Sequence, residues 1–373
     1  MTIRPMNQFI PLVQNKALLD WVDTELPQYV KTHYSPNQKW KKTPFDQKDA
    51  SFYLSAIEEL SELLTLDRNF SKKQAYLNLP KFRSSYLLYF LPLQAFKFLY
   101  TFQMHLEALK PLLENPKKEI HILDCGSGPA TASIALLLEL KRNGLNPNTP
   151  IRITLVDDNQ AILKDAKAIL KKLVPHAYIQ YVHCSIERFK PQAEDTYSIV
   201  LVGHLLNEMK KTPIQLFAQL AQKDPAGGIL FLEPAIDTAS RKLIELREIL
   251  LEENKKIQFV GPCLHSERCP FFNDNKDWCH FSFPVQIESK WFNWLSKQLS
   301  EKKSWLKFSY LWIASAQFKK ANSSKNLKLV LTDPMDDMKS KQKAVLICEP
   351  NKTRRYLLNS NEKHWLRGMR VKP

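Results

Sequence analysis

Three cysteines crowd one loop of this chain, Cys263, Cys269 and Cys279, with five residues between the first two and nine between the next two; a fourth, Cys348, follows far downstream. Thiols so close together are a liability in a reducing compartment unless they hold something. Four thiolates complete a tetrahedral zinc site or bind an iron–sulfur cluster. The loop, from Gly261 to Phe281, is rich in prolines, aromatics and charge, and its His265 and His280 are substitute ligands should Cys348 lie too far away. Cys125 and Cys184 stand apart from this group and read as small buried hydrophobes beside strands.

A second constellation lies upstream. In the run from Leu123 to Thr131, Gly126 and Gly128 stand where a strand turns abruptly into a helix, with Ser127 between them, so backbone can approach a ligand closely. Asp124 decides between ligands. A carboxylate two residues before Gly126 repels the pyrophosphate of NAD, which wants helix N-terminal amides and no local anion. S-adenosylmethionine brings an ammonium and a sulfonium instead, and Thr131 replaces the third glycine of a pyrophosphate turn. Asp157 ends the second strand, in place to accept hydrogen bonds from ribose hydroxyls; the alternative is that Asp157 and Asp158 cap the next helix. Ser185 stands where the adenine edge is read. After the fourth strand, Gly203 to Glu208 faces a methyl donor, and its polar groups are His204, Asn207 and Glu208. Asn207 and Glu208 are taken as the catalytic pair, against the alternative that they start a helix. The run that reads exocyclic base amines, Asn-Pro-Pro-Tyr or Asp-Pro-Pro-Tyr, does not occur, so the acceptor atom is not read from the chain.

The elements that must position these groups follow from apolar periodicity. From Ile10 to about Leu113 apolar residues recur at helical spacing, as in Ala17, Leu18, Trp21 and Val22, then Leu54, Ile57, Leu60, Leu63 and Leu64. Pro80, Pro92 and Pro111 punctuate this region, and its aromatics from Phe82 to Tyr100 read as core rather than as a base-stacking platform. From Glu119 short apolar runs alternate with amphipathic helices, which predicts a parallel sheet with crossover helices. Strands are expected at His121–Asp124, Ile151–Val156, Ala177–Val182, Ser198–Val202 and Gly228–Leu232, with helices at Thr131–Lys141, Ala161–Leu173 and Ala239–Glu253. Beyond Leu306 the alternating stretches Lys307–Ala316, Leu327–Leu331 and Ala344–Cys348 predict a small β-rich appendage.

The chain has 373 residues, of which 44% are apolar, enough for a large core plus satellites. The longest apolar segment, Tyr86–Tyr100, is broken by Pro92 and Lys97, so no membrane partner is expected. The first residues lack the pattern of a secretory signal; disulfides are disfavoured and a cytoplasmic location is expected. Lys and Arg number 54 against 38 Asp and Glu, a net charge of +16, which points to a polyanionic partner. Half of that excess lies between Lys339 and Lys372, where ten basic residues (Lys339, Lys341, Lys343, Lys352, Arg354, Arg355, Lys363, Arg367, Arg370, Lys372) face two acidic ones. Interleaved with Tyr356 and Trp365, this tail is expected to follow an RNA backbone and stack on unpaired bases.

Together, the run Leu123–Ala130, the Leu206-Asn207-Glu208 step, Leu232-Glu233-Pro234, Pro262-Cys263-Leu264-His265, Cys269-Pro270 and Trp278-Cys279-His280-Phe281 resemble a known family. It is the methyltransferase-like small-ribosomal-subunit assembly protein family of bacteria and mitochondria, and the likeness spans roughly Tyr76 to the C-terminus. Ala235 departs from it, standing where the family commonly has glycine, and the early arginine-proline stretch is only loosely echoed by Lys81-Phe82-Arg83. The resemblance implies an α/β class I methyltransferase (Rossmann-like) parallel-sheet core carrying a four-cysteine cluster; with the apolar patterns above, the expected division is a helical N-terminal domain (1–115), the core (116–259), a cysteine-rich loop (260–300) and a β-rich basic appendage (301–373). In that family the fourth thiol comes from the C-terminal β-rich piece, matching Cys348. Paired Cys-x-x-Cys knuckles are absent, so the spacing suits a 4Fe-4S cluster better than zinc. The expected activity is S-adenosylmethionine-dependent methylation of rRNA or protein on the small ribosomal subunit, by a monomer; the alternative is a non-catalytic assembly factor that uses the fold as an RNA-docking platform.

Overall fold

The computed structural model describes residues 19–371 except 36–39, 66–75, 255–256, 274–276, 285–286, 288, 301–304, 317, 319–326, 339, 341, 363–364 and 366. Ala17, Leu18, Lys339, Lys341, Lys363 and Lys372 lie outside the described residues.

The N-terminal region is helical: α1 (Leu26–Tyr34), α2 (Gln47–Thr65), α3 (Pro80–Ser85), α4 (Leu91–Met104) and α5 (Leu106–Leu113). Pro92 falls in the first turn of α4, after a wider turn at Tyr86–Phe90, where a missing N–H is tolerated. The aromatics of this stretch are core: Phe82, Tyr89, Phe90, Phe96 and Phe98 are all buried.

Next come β1 (Ile120–Cys125), α6 (Thr131–Arg142), β2 (Ile151–Asp157), α7 (Gln160–Leu173), β3 (Tyr178–His183), β4 (Ile199–Gly203), α8 (Ile214–Gln222), β5 (Ile229–Pro234) and α9 (Asp237–Glu253). The expected strands and crossover helices coincide with these to within two residues at each end. β1 is buried at every position, the pattern of a central strand covered on both faces. Three further strands complete the sheet, β6 (Phe259–Gly261), β7 (Phe281–Pro284) and β8 (Trp305–Ile313), with α10 (Lys290–Gln298) between the last two. The sheet order is β3-β2-β1-β4-β5-β8-β6, with β7 also on β8. β1 to β5 pair in parallel, and β8 runs antiparallel to β5, β6 and β7. This is the class I methyltransferase arrangement. Its chain reversal between β1 and β4 opens a crevice at the carboxyl ends of the strands.

The stretch Lys307–Ala316 belongs to this large sheet rather than to the appendage. Its alternation reads as a half-exposed strand, but from Phe308 to Ile313 every residue is buried because it is covered on both faces. A separate sheet forms the appendage from β9 (Lys328–Val330), β10 (Met335–Asp336), β11 (Lys343–Glu349), β12 (Lys352–Leu357) and β13 (Arg370–Val371).

The helical region is fastened to the core by polar and aromatic contacts. The Tyr29 hydroxyl donates to Asp165 on α7 at 2.7 Å, Tyr34 donates to its other oxygen, and the Arg83 guanidinium lies 3.5 Å from the same carboxylate. Tyr100 stacks on Phe283 at 4.4 Å between centroids and Tyr89 on Phe292 at 5.5 Å. Among the described residues no helix is long and apolar enough to cross a membrane.

At the far end of β8, Trp312 is fully buried and its indole N–H donates to the Gly227 carbonyl at 2.8 Å. Trp312→Ala is expected to lower the unfolding free energy by about 3–5 kcal/mol in urea titrations, and Trp312→Phe by distinctly less.

Candidate functional site

A cleft of about 440 Å³ opens at the carboxyl ends of β1 to β4. Gly126, Gly128, Asp157, Ser185, His204 and Glu208 all line it. Its floor is the glycine turn. Gly126 has φ +64°, and a Cβ there would meet the Leu205 side chain at 2.7 Å, so the turn after β1 and the turn after β4 can touch only through a residue with no side chain. Asp157 braces this turn from β2: its Oδ2 accepts from the Gly128 N–H at 2.8 Å and its Oδ1 from the Asn159 N–H at 2.9 Å. Helix capping falls to Asn159, whose side chain accepts from the N–H groups of Ala161 and Ile162, leaving Asp157 and Asp158 on the cleft wall. Burial pushes the Asp157 carboxyl up to about 6.

Asp124 lies on the inner side of the glycine turn. It is 1% exposed, and its Oδ2 accepts from Ser133 at the start of α6, from the hydroxyl at 2.6 Å and the N–H at 3.2 Å. With Ser127 and Gly203 it borders a small space of about 40 Å³ that adjoins the cleft through Gly126, Gly128 and His204, and burial lifts its carboxyl to about 7. Glu208 is exposed at the cleft mouth, while Asn207 is not among the lining residues. The two sit in a single turn, Leu206–Glu208, rather than at the start of a long helix; α8 begins six residues later, after Pro213.

Two features of the cleft come from residues given no role in the sequence analysis. Glu233, fully buried at the end of β5, accepts from the N–H groups of Leu206 at 2.8 Å and Asn207 at 3.2 Å, and Lys242 donates to the Leu206 carbonyl at 2.8 Å. These bonds fix the turn after β4. Burial raises the Glu233 carboxyl to about 8. Its sequence signal was the Leu232-Glu233-Pro234 run of the family resemblance, which carried no role for the carboxylate. Tyr76 and Tyr86, from the helical region, form a wall of the cleft; burial holds both hydroxyls above their usual range, with the Glu208 and Asp157 carboxylates adding to the effect.

The four thiols Cys263, Cys269, Cys279 and Cys348 converge. Burial raises the Cys279 thiol well above its ordinary range, and next come the repulsions from Cys263, Cys269 and Cys348, so all three lie within electrostatic reach. Cys269 is pushed up to about 12 by burial and then by Cys263. The loop is gripped by α9. Arg247, 2% exposed, donates to the Cys263 sulfur at 3.3 Å and to the carbonyls of His265 at 3.0 Å and Glu267 at 2.7 Å. Its ion-pair partner Glu248 accepts from the Cys269 N–H at 3.1 Å. Cys348 arrives on β11, its sulfur 3.5 Å from the His265 ring. Among the described residues, however, no three His, Cys, Asp or Glu side chains are disposed to hold a single metal ion.

The basic tail is not the free ladder that the sequence implies. Lys343 pairs with Asp336 at 2.8 Å, Arg354 with Glu349 at 3.1 Å and Arg355 with Asp337 at 2.9 Å. Trp365 is 6% exposed and stacks on Tyr356 at 5.1 Å, so its ring is spent on the appendage core rather than held out for a base.

A family model described as mitochondrial small ribosomal subunit Rsm22 matches residues 87–364. Two curated relatives from Schizosaccharomyces pombe, Rsm22-cox11 tandem proteins 1 and 2, mitochondrial, are each 27% identical over 172 residues, or 42% of this chain. The match spans 22% of the length of each relative. Among solved structures, the CMeT domain of the citrinin polyketide synthase is 16% identical with a TM-score of 0.40, covering 73% of this chain and 66% of that one. An rRNA methylase from Streptococcus thermophilus is 10% identical with a TM-score of 0.31, covering 58% and 95%. The expected cytoplasmic location is corrected by these findings, since the matched family and both relatives are described as mitochondrial.

The buried carboxyls give a pH signature. Asp124 (3.8 to about 7) and Glu233 (4.5 to about 8) hold protons in the folded chain that the unfolded chain has released. Stability due to them is therefore greatest below pH ~4 and is lost as pH rises toward ~8, at up to about 1.4 kcal/mol per pH unit for each group. Urea titrations at pH 5 and pH 8 should show this decline, and Asp124→Asn should make it shallower.

Proposed function

This chain belongs to the family described as mitochondrial small ribosomal subunit Rsm22, and on that premise we propose that it binds S-adenosylmethionine in the cleft at the ends of β1 to β4 and acts on the small ribosomal subunit, on rRNA or a ribosomal protein. The observation that carries the reading is the junction of the Gly126–Gly128 turn, the Asp157 carboxylate and the Gly203–Glu208 turn around one cleft. Gly126 and Gly128 lie against the ligand, Asp157 accepts from the ribose hydroxyls, Ser185 stands at the adenine end, and Tyr76 and Tyr86 exclude water from one side. When bound, S-adenosylmethionine supplies an electrophilic methyl group. Glu208 is the residue placed to take a proton from an acceptor. Docking without turnover is the second reading: the Asn207 backbone N–H donates to Glu233 and holds the turn after β4 as a fixed wall, a role that needs no methyl transfer.

We propose that the cysteine group holds an inorganic centre. Burial and repulsion from neighbouring sulfurs push the Cys269 and Cys279 thiols up, whereas a metal centre takes thiolates and removes the repulsion. A closed zinc site needs sulfurs only about 3.8 Å apart, given Zn–S bonds near 2.3 Å. A 4Fe-4S cluster spreads its four thiolates more widely, and Cys263, Cys269, Cys279 and Cys348 would hold it, tying the appendage to the core.

Isothermal titration should detect S-adenosylmethionine binding, weakened about tenfold or more in Asp157→Ala; no binding to the wild-type chain refutes the cofactor assignment. Transfer of tritiated methyl groups to isolated small subunits, abolished in Glu208→Gln, separates catalysis from docking. Anaerobically purified protein should carry about four irons, lost in Cys348→Ser; a single zinc, or no metal, overturns the cluster.

A further inference from the structure

A second crevice, of about 360 Å³, lies on the open face of β2 and β3, lined by Arg152, Thr154, Gln180, Arg188, Lys190 and Tyr197 among others. It exists because of what the β3–β4 crossover lacks. α6 and α7 follow β1 and β2, but between β3 and β4 the chain makes only one helical turn, Ile186–Arg188, so no crossover helix of that connection packs here. The strand register then sets the chemistry: Arg152 stands opposite Tyr178 and Thr154 opposite Gln180, placing these four side chains on one face.

The charges here are uncompensated, unlike those of the tail. Among the described residues none of Arg152, Arg188 and Lys190 takes part in an ion pair, and the Arg152 Nε is buried without a hydrogen-bond partner. The one carboxylate on the crevice wall, Asp195, is engaged locally, accepting from the Tyr197 hydroxyl at 2.9 Å and the Gln192 N–H at 3.1 Å. Beside these cations Tyr178 is 60% exposed, its ring 5.6 Å from the Arg152 guanidinium. Unpaired cations next to an exposed aromatic ring match the phosphates and one base of a single strand.

We propose that this crevice binds single-stranded RNA, with Arg152, Arg188 and Lys190 on successive phosphates and Tyr178 stacking on a base. The inference deepens the reading of the chain as a small-subunit protein by assigning an RNA contact distinct from the basic tail. Cys184 lines both this crevice and the cofactor cleft, so a strand held here lies against the back wall of that cleft.

The test is fluorescence anisotropy with a labelled single-stranded RNA of about 12 nucleotides, within the range of site sizes found for single-strand binders, across a salt series. Arg188 and Lys190 are exposed, so Arg188→Glu/Lys190→Glu leaves the core intact; it should weaken binding at least tenfold and flatten the log–log salt slope by about 1.4, two phosphate contacts at about 0.7 each. Tyr178→Ala should weaken binding about fivefold or more with the slope unchanged. Lys352→Gln/Arg354→Gln, on the ion-paired strand, should change affinity by less than about threefold. Wild-type affinity and slope in the Arg188/Lys190 variant would overturn the crevice site while leaving RNA engagement elsewhere intact. No RNA binding by the wild-type chain would overturn both. Equal competition by mononucleotide would reassign the crevice to a small anion and sink the RNA proposal.

Discussion

The antiparallel ladder of β8 is the interaction on which the rest of the molecule depends. This strand pairs along its length with β5 and holds β6 and β7 on its other edge, so the two strands that bracket the cysteine loop are both fastened to it. Its side chains reach outward as well. The Ser309 hydroxyl donates to the Cys279 carbonyl at 2.8 Å and meets Ser240 of α9 at 2.7 Å, while the Tyr310 hydroxyl lies 2.9 Å from the His105 ring in the helical region. Gly261, at the end of β6, packs so tightly there that a Cβ would fall 2.4 Å from His105 Nε2. One strand thereby fixes the cysteine loop, α9 and the N-terminal helices in a single frame.

Buried polar groups then set the finer geometry. Glu233, Asp124 and the Arg247–Glu248 pair are all inside the protein, and each is satisfied by backbone or by an opposite charge. Burying such groups is costly unless they are fully hydrogen-bonded, and breaking one leaves its partners stranded. What they hold in return is specific: the turn after β4, the first turn of α6, and the backbone around Cys263 and Cys269. The cleft and the cysteine group are thus rigid because their supports are saturated.

The positive charge of the chain is distributed in two ways that have different physical meanings. In the appendage, lysines and arginines meet Glu349, Asp336 and Asp337, and ion pairs at an exposed surface contribute little stability while they lower the local potential. On the β2–β3 face the cations have no such partners among the described residues, so their field is available to a ligand. A count of basic residues along the chain places the charge in the tail; the pairing in space redistributes its effect.

The sequence by itself determined the parallel core, because fully buried strands and amphipathic crossover helices leave periodic apolar patterns that local reading recovers, as at β1, β2 and α7. It also marked Asp157 and the glycine turn, since a strand-to-helix switch constrains residue type within a few positions. Only the tertiary structure decided that Trp305–Ile313 enters the main sheet, that Asp124 braces α6 beneath the glycine turn, that Arg247 and Glu248 grip the cysteine loop, and that Tyr356 and Trp365 pack on each other. Each of these depends on contacts between residues far apart in the chain, and a local pattern carries no information about which distant surface will cover it. A charged residue on a helix or an aromatic in a basic tail reads the same whether it faces water or a neighbour, and folding alone supplies the neighbour.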